Sequence, residues 1–101
     1  MKDSVKKQYV VVVYDISDDS LRLRVAKFLS RMGLSRVQRS VFTGMLGRVG
    51  LVSLEAGLRR VLRGWSMYSV HVYVLPRAYF DRRIVLEEGY SVPEEGEDFL
   101  V

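Results

Sequence analysis

The sequence predicts an α+β domain built from one sheet with two helices packed on a single face. Three observations predict it. Tyr9-Val-Val-Val-Val-Tyr14 is a short β-branched and aromatic run, the pattern of a buried central strand rather than a helix. Two later segments repeat apolar residues at helical spacing, each with a single stripe. Further strand-like runs surround them, bounded by glycine and proline. Two helices with one apolar stripe each can cover one face of a sheet but cannot sandwich it.

Each element follows from its residues. After Tyr14 the polar stretch 15–20 supplies N-cap candidates in Ser17, Asp18 and Asp19. Leu21, Val25, Phe28, Leu29 and Met32 fall on an arc of roughly 100°, which predicts a helix over 20–32 stopped by Gly33. From Ser35 to Leu46, Val37, Arg39 and Val41 alternate with Gln38, Ser40 and Phe42, a strand that bends or turns back near its end. Gly44, Gly47 and Gly50 match neither the dinucleotide nor the P-loop spacing and mark a flexible loop. Leu51, Leu54, Leu58, Val61 and Leu62 form the second helical stripe, with Gly64 at its end. Gly57 inside that helix costs about 1 kcal/mol relative to alanine. Met67 to Leu75 is a strand stopped by Pro76, and Tyr79 to Leu86 is one more. This is a ferredoxin-like β-α-β-β-α-β arrangement with helices on one face plus a C-terminal strand, occupying residues 1–90, with residues 91–101 as an acidic tail. The second face of the sheet then carries apolar residues with no helix above it, so a homodimer that buries it is expected.

Composition narrows the function. In 101 residues, 49% are apolar and 28% charged, the balance of one folded domain. Tyr9 to Tyr14 is too short to cross a bilayer and Asp15 ends it, and no small-residue processing site follows, which argues against a cleaved secretory signal. With no cysteine, disulfides, thiolate catalysis and cysteine-bound zinc are excluded, and a cytoplasmic location is expected. The single histidine, His71, removes any site needing two imidazoles from one chain; alternating with Tyr73 and Leu75, it has a structural role as its ordinary reading.

Charge is divided unevenly. Residues 1–86 hold all sixteen bases against six acids, a net +10, while residues 87–101 hold six acids and no base. Twelve of the sixteen bases are arginine, whose guanidinium matches phosphate bidentately as lysine does not. A basic body points to a polyanion partner, most simply nucleic acid. A small regulatory module that binds a metabolite is disfavoured on the same ground. The acidic terminus has two readings, a solvated tail or one that docks on a second protomer or another protein through residues 94–98, with Phe99, Leu100 and Val101 adding apolar contact.

Asp15 is the residue best placed for chemistry, at the carboxyl end of the first strand. Its bland alternative is a helix cap, a role Ser17, Asp18 or Asp19 fills equally well. A hard cation such as Mg²⁺ takes carboxylate and water oxygens; one Asp per chain is thin for that, and two meeting across a dimer axis suffice. Arg24, Lys27 and Arg31 lie along one side of the first helix's apolar arc and Arg22 along the other, with Arg36 and Arg39 on the next strand. They form either a solvated face or cations that hold phosphates beside a metal. Trp65, Met67 and Tyr68 either close the core or offer surfaces for base stacking.

The run Tyr-Val-Val-Val-Val-Tyr14-Asp15-Ile-Ser-Asp-Asp, then Leu-Arg22-Leu-Arg24-Val-Ala-Lys-Phe-Leu, then Gly33-Leu-Ser-Arg36-Val-Gln38-Arg-Ser40-Val-Phe42, resembles the CRISPR-associated protein two family. The later Val-His-Val-Tyr73-Val-Leu-Pro strand and Arg-Arg-Ile-Val-Leu stretch are similar as well. The resemblance implies a ferredoxin-like homodimer in which the first-strand Asp of each protomer faces the other across a cleft. It further implies a metal-dependent endonuclease acting on single-stranded RNA or duplex DNA with Mg²⁺ or Mn²⁺. A partnership with the CRISPR integrase, CRISPR-associated protein one, in spacer acquisition is implied too. In that pattern the metal residue falls on Asp15, with Tyr14, Arg22, Arg24, Arg36 and Phe42 completing the catalytic group. The departures are the glycines after Phe42, Glu87-Glu88 and the acidic terminus, which bear on exchange of the C-terminal strand between protomers and not on the site.

Overall fold

Alternation in the first strand decides the architecture. In a computed structural model that describes residues 6–93, β1 spans Gln8–Ile16 and its even-numbered residues Val10, Val12, Tyr14 and Ile16 are all buried. Its odd-numbered residues turn to the other face, where Val13 is 38% exposed and Asp15 is exposed. The strand is therefore central in its sheet but buried on one side only.

The first helix, α1, spans Asp19–Arg31. Asp18 caps it, its Oδ1 accepting from the Leu21 amide at 3.1 Å, which satisfies one of the donors a helix start leaves open. Its stripe of Leu21, Val25, Ala26 and Leu29 is buried against the sheet, and Gly33, at φ 90°, takes the left-handed position just past the end. The second helix, α2, spans Arg48–Leu62 and buries Leu54, Gly57, Leu58 and Leu62.

Three further strands complete one antiparallel sheet: β2 Ser35–Gln38, β3 Val41–Leu46 and β4 Tyr68–Leu75, in the order β2-β3-β1-β4. Val12 lies between Phe42 on β3 and Val72 on β4, and Tyr14 lies opposite Val70. The bend expected between Ser35 and Leu46 is a hairpin, with Arg39 and Ser40 as its turn. The core sits between the sheet's even face and the two helices, centred on Phe42, Leu21, Leu29 and Leu54. At about 1.5–3 kcal/mol for each large apolar side chain fully buried, this layer dominates stability.

Two sequence expectations are corrected. Gly44, Gly47 and Gly50 do not form a flexible loop: Gly44 lies in β3, Gly47 caps α2 and Gly50 lies in its first turn. At Gly44 the reason is close approach, since a Cβ there would meet the Leu34 Cδ2 at 2.6 Å. Gly57 has the same cause, for a Cβ would fall 2.1 Å from the Phe28 ring that α1 lays across α2. Its propensity cost is the condition for that helix–helix contact.

The C-terminal strand expected over Tyr79–Leu86 is likewise not formed among the described residues. Pro76, with no N–H and a fixed φ, ends β4 and caps a short helix, α3, over Arg77–Asp81. Phe80 then packs edge-on against the Tyr9 ring at 5.0 Å, and the Arg83 guanidinium lies over the Phe80 ring, 3.8 Å from its centroid. Beyond it Ile84, Val85 and Leu86 belong to no helix or strand among the described residues, and Ile84 and Leu86 are 84% and 89% exposed. Trp65 packs against the core as expected of a core-closing residue, whereas Met67 is exposed. The acidic residues 94–98 and the Phe99-Leu100-Val101 end lie outside the described residues.

Candidate active site

Asp15 sits on the penultimate position of β1, and main-chain tethers fix the strand on either side of it. The Tyr14 amide donates to the Ser40 carbonyl at 3.1 Å. The Ile16 carbonyl accepts from Arg22 Nη1 at 2.8 Å. The Ser17 amide donates to the Met67 carbonyl at 3.3 Å, and Met67 holds a φ of 58°, uncommon for a residue with a side chain. The strand end is thereby tied to the β2–β3 turn, to α1 and to the lead-in of β4 while the Asp15 carboxylate stays exposed.

The arginines differ in what they do. Arg22, half-buried on α1, pairs with Asp19 as well as the Ile16 carbonyl, so it staples the first turn of the helix to the end of β1. Arg24, Lys27 and Arg31 are exposed along α1, which agrees with a solvated face in this chain. Arg36 on β2 donates from Nε and Nη2 to the Arg39 carbonyl, at 2.9 and 2.6 Å, and from Nη1 to the Pro93 carbonyl at 3.1 Å. The Tyr14 hydroxyl donates to the same Arg39 carbonyl at 3.5 Å.

Tyr14 and Phe42 are not beside the Asp15 carboxylate. Both face the helices, buried, with ring centroids 6.3 Å apart and planes 26° from parallel. They support the strand end from behind while Asp15 projects from the opposite face. The structure therefore gathers Asp15, Arg22, Tyr14, Arg36 and Phe42 at one end of the sheet, split between its two sides.

The sequence offers Arg39 as a cation for phosphate, but not the main chain of residues 39 and 40. Their contribution is two carbonyls that receive Tyr14 and Arg36, and a carbonyl has no side-chain signature to read. Directly opposite Asp15 on β4 is Ser69, and His71 lies opposite Val13 on the same open face. His71 is exposed, with Nδ1 3.1 Å from the Tyr73 hydroxyl.

Two further facts bear on chemistry. Among the described residues no three His, Cys, Asp or Glu residues gather as metal ligands. The Asp15 carboxylate makes no hydrogen bond or ion pair among them, so its oxygens suit a hard cation but amount to half a site at most. A groove of about 690 Å³ between α2 and β4 is lined by Leu54, Leu58, Trp65 and Val72. Asp15 is not among the residues that line it.

A sheet of this order, helix-covered on one side and with an acid exposed at the end of a central strand, defines a class of small α+β proteins with one bare sheet face. A family model described as CRISPR associated protein Cas2 matches residues 8–83, and the chain belongs to that family. A CRISPR-associated endoribonuclease Cas2 2 from Pyrobaculum aerophilum is 46% identical over 76 residues, covering 75% of this chain and 82% of the relative. A CRISPR-associated endonuclease Cas1/endonuclease Cas2 fusion from Thermoproteus tenax is 43% identical over 56 residues, 55% of this chain and 21% of the fusion. A crystal structure of Cas2 superposes with a TM-score of 0.67 at 34% identity, covering 87% of this chain and 97% of that one. No helix among the described residues is long and apolar enough to cross a membrane.

Proposed function

We propose that this chain is a metal-dependent endonuclease of CRISPR defence that hydrolyses phosphodiester bonds in single-stranded RNA, with duplex DNA as the alternative substrate. It would work in the cytoplasm as a ferredoxin-like homodimer and take part in spacer acquisition with the CRISPR integrase. The observation that carries the reading is the exposed Asp15 carboxylate on a strand end that three elements tie down, one tie being Arg22 on the neighbouring Ile16 carbonyl. The endoribonuclease names of the relatives favour RNA, and the Thermoproteus tenax fusion favours the integrase as partner.

What one chain leaves uncovered supports the dimer. Val13 on the odd face, together with Ile84, Val85 and Leu86, is apolar and exposed, and Val11 beside it is only half-buried. Burying the odd faces of two copies against each other would bring two Asp15 carboxylates towards one place, which is what a hard cation needs. When bound, Mg²⁺ or Mn²⁺ supplies Lewis acidity and an activated water.

The chain's own residues then divide the work. Asp15 provides an oxygen donor on a strand end that cannot swing. Arg22 holds the corner between β1 and α1, and Arg24 and Arg36 offer guanidinium groups to the phosphate backbone. Tyr14 and Phe42 act as positioning residues, setting the strand end from the core side.

A second reading is favoured by the absence of a multi-acid cluster among the described residues. In it the dimer is a basic scaffold that grips duplex DNA while the integrase performs all the chemistry. Cleavage of labelled single-stranded RNA and duplex DNA, with Mg²⁺ or with EDTA, by the parent protein and Asp15→Ala separates the two. Metal-dependent cleavage, lost in Asp15→Ala with folding retained, is the expected result. Equal inertness of both proteins with retained, salt-dependent DNA binding would establish the scaffold.

A further inference from the structure

The chain's single histidine lies on the strand next to its best-placed acid. β1 and β4 pair so that Asp15 faces Ser69 and Val13 faces His71. Because side chains alternate along a strand, Asp15, Ser69 and His71 share the open face, and His71 is the diagonal neighbour of Asp15. Diagonal positions on one face lie about 7–8 Å apart. A carboxylate, an imidazole and two bonds of about 2 Å to one cation cover that span. Both side chains are exposed, and the one hydrogen bond that His71 makes among the described residues is to the Tyr73 hydroxyl.

We propose that His71 is a second ligand to the cation held at Asp15, and that the resulting oxygen–nitrogen donor set selects a first-row transition ion over Mg²⁺. The proposal rests on the metal reading of Asp15 above and deepens it to a preference among ions. Tyr73 prepares the histidine for this role. Its hydroxyl lies 3.1 Å from Nδ1, and a hydrogen bond from Nδ1–H to that oxygen leaves the Nε2 lone pair free to ligate. Metal-binding histidines ordinarily hold such a partner on the other ring nitrogen, which orients the ring and raises its basicity. His71 has that partner in place, while its Nε2 makes no hydrogen bond among the described residues.

The chemistry of the donors sets the preference. Mg²⁺ favours oxygen ligands and keeps several of its waters, so an imidazole adds little to its binding. Transition ions gain more from nitrogen, and the gain rises from Mn²⁺ to Co²⁺. Two copies joined across the open face would offer two carboxylates and two imidazoles, four protein donors where Asp15 alone gives two.

Calorimetric titration of the untagged full-length protein with Co²⁺ and with Mg²⁺ tests this, the parent being compared with His71→Gln, Tyr73→Phe and Asp15→Asn. His71→Gln should weaken Co²⁺ binding by at least about tenfold and Mg²⁺ binding by less than about twofold. Tyr73→Phe keeps the ring and deletes the hydroxyl that orients His71; it should weaken Co²⁺ severalfold and leave Mg²⁺ unchanged. Asp15→Asn should remove both ions, since the carboxylate is their shared ligand. Unchanged Co²⁺ affinity in His71→Gln would overturn the proposal. An equal loss of both ions would overturn it as well, because a disturbed open face or dimer produces that result without ligation. So would Co²⁺ binding that survives in Asp15→Asn. With one histidine in the chain, the imidazole proton signals need no assignment, and added Zn²⁺ should shift them in the parent but not in Asp15→Asn; no shift in the parent overturns the proposal. Mg²⁺ binding that depends on Asp15, with no Co²⁺ gain from His71, would remove this inference alone. Failure of the parent to bind either ion would remove the metal reading with it.

Discussion

The two faces of β1 are made by neighbouring residues and do opposite things. On the even face Val10, Val12, Tyr14 and Ile16 are sealed under two helices. On the odd face Val11, Val13 and Asp15 have nothing of comparable extent above them, apart from Phe80 against Tyr9 at one end. One face supplies the stability that fixes the strand, and the other can therefore leave a carboxylate in solvent without losing its position. The comparison teaches that the chain is stable from one side and unfinished on the other.

Lysine substitution at adjacent residues gives the largest contrast. Val12→Lys buries an unpaired charge where the parent side chain is fully enclosed, and the chain should lose its cooperative unfolding transition. Val13→Lys, one residue on, should keep the parent circular dichroism spectrum while weakening self-association in sedimentation by about tenfold or more. Loss of the fold in both would break the distinction between the faces. Next in size, Phe42→Ala should cost about 3–5 kcal/mol in urea unfolding, since its ring is buried between the sheet and the helices beside Tyr14. A loss below 1 kcal/mol would mean that the ring behaves as a site residue rather than a core one. The smallest effect is expected at Gly57→Ala, where the gain in helix propensity is outweighed by collision with Phe28. A net loss of about 1–3 kcal/mol should result, and stabilisation would show that the two helices can separate at little cost.

Much of this was legible in the residues. The first strand, both helices and the β4 strand follow from hydrophobic period and caps, because Leu21, Val25 and Leu29 or Leu54, Leu58 and Leu62 each obey a local rule. What failed depended on contacts distant in sequence. Gly44 reads as a loop residue, and Gly57 only as a propensity cost within its helix, because Leu34 and Phe28, the side chains they admit, are respectively 10 and 29 positions away. Tyr79–Leu86 looked like a strand because alternation cannot say whether an edge is available to pair with it. At the site, the position of Asp15 was readable from where the apolar run ends. The splitting of Tyr14 and Phe42 from it follows from strand parity, and the Arg39 carbonyl that links Tyr14 to Arg36 leaves no trace in the side chains.

The two outer strands also differ in a way that bears on handling the protein. β2 is four residues long and its pairing register slips between Arg36 and Gln38, two features that discourage a further strand from adding to a sheet. β4 is eight residues long, regular and β-branched, with no partner along its outer side among the described residues. Mutual repulsion between positively charged molecules protects that edge only while the repulsion extends far enough, and added electrolyte shortens it. Concentrated stocks in high salt are therefore the condition in which isolated molecules should stack strand to strand and lose colloidal stability. Dilute, low-salt storage should preserve them.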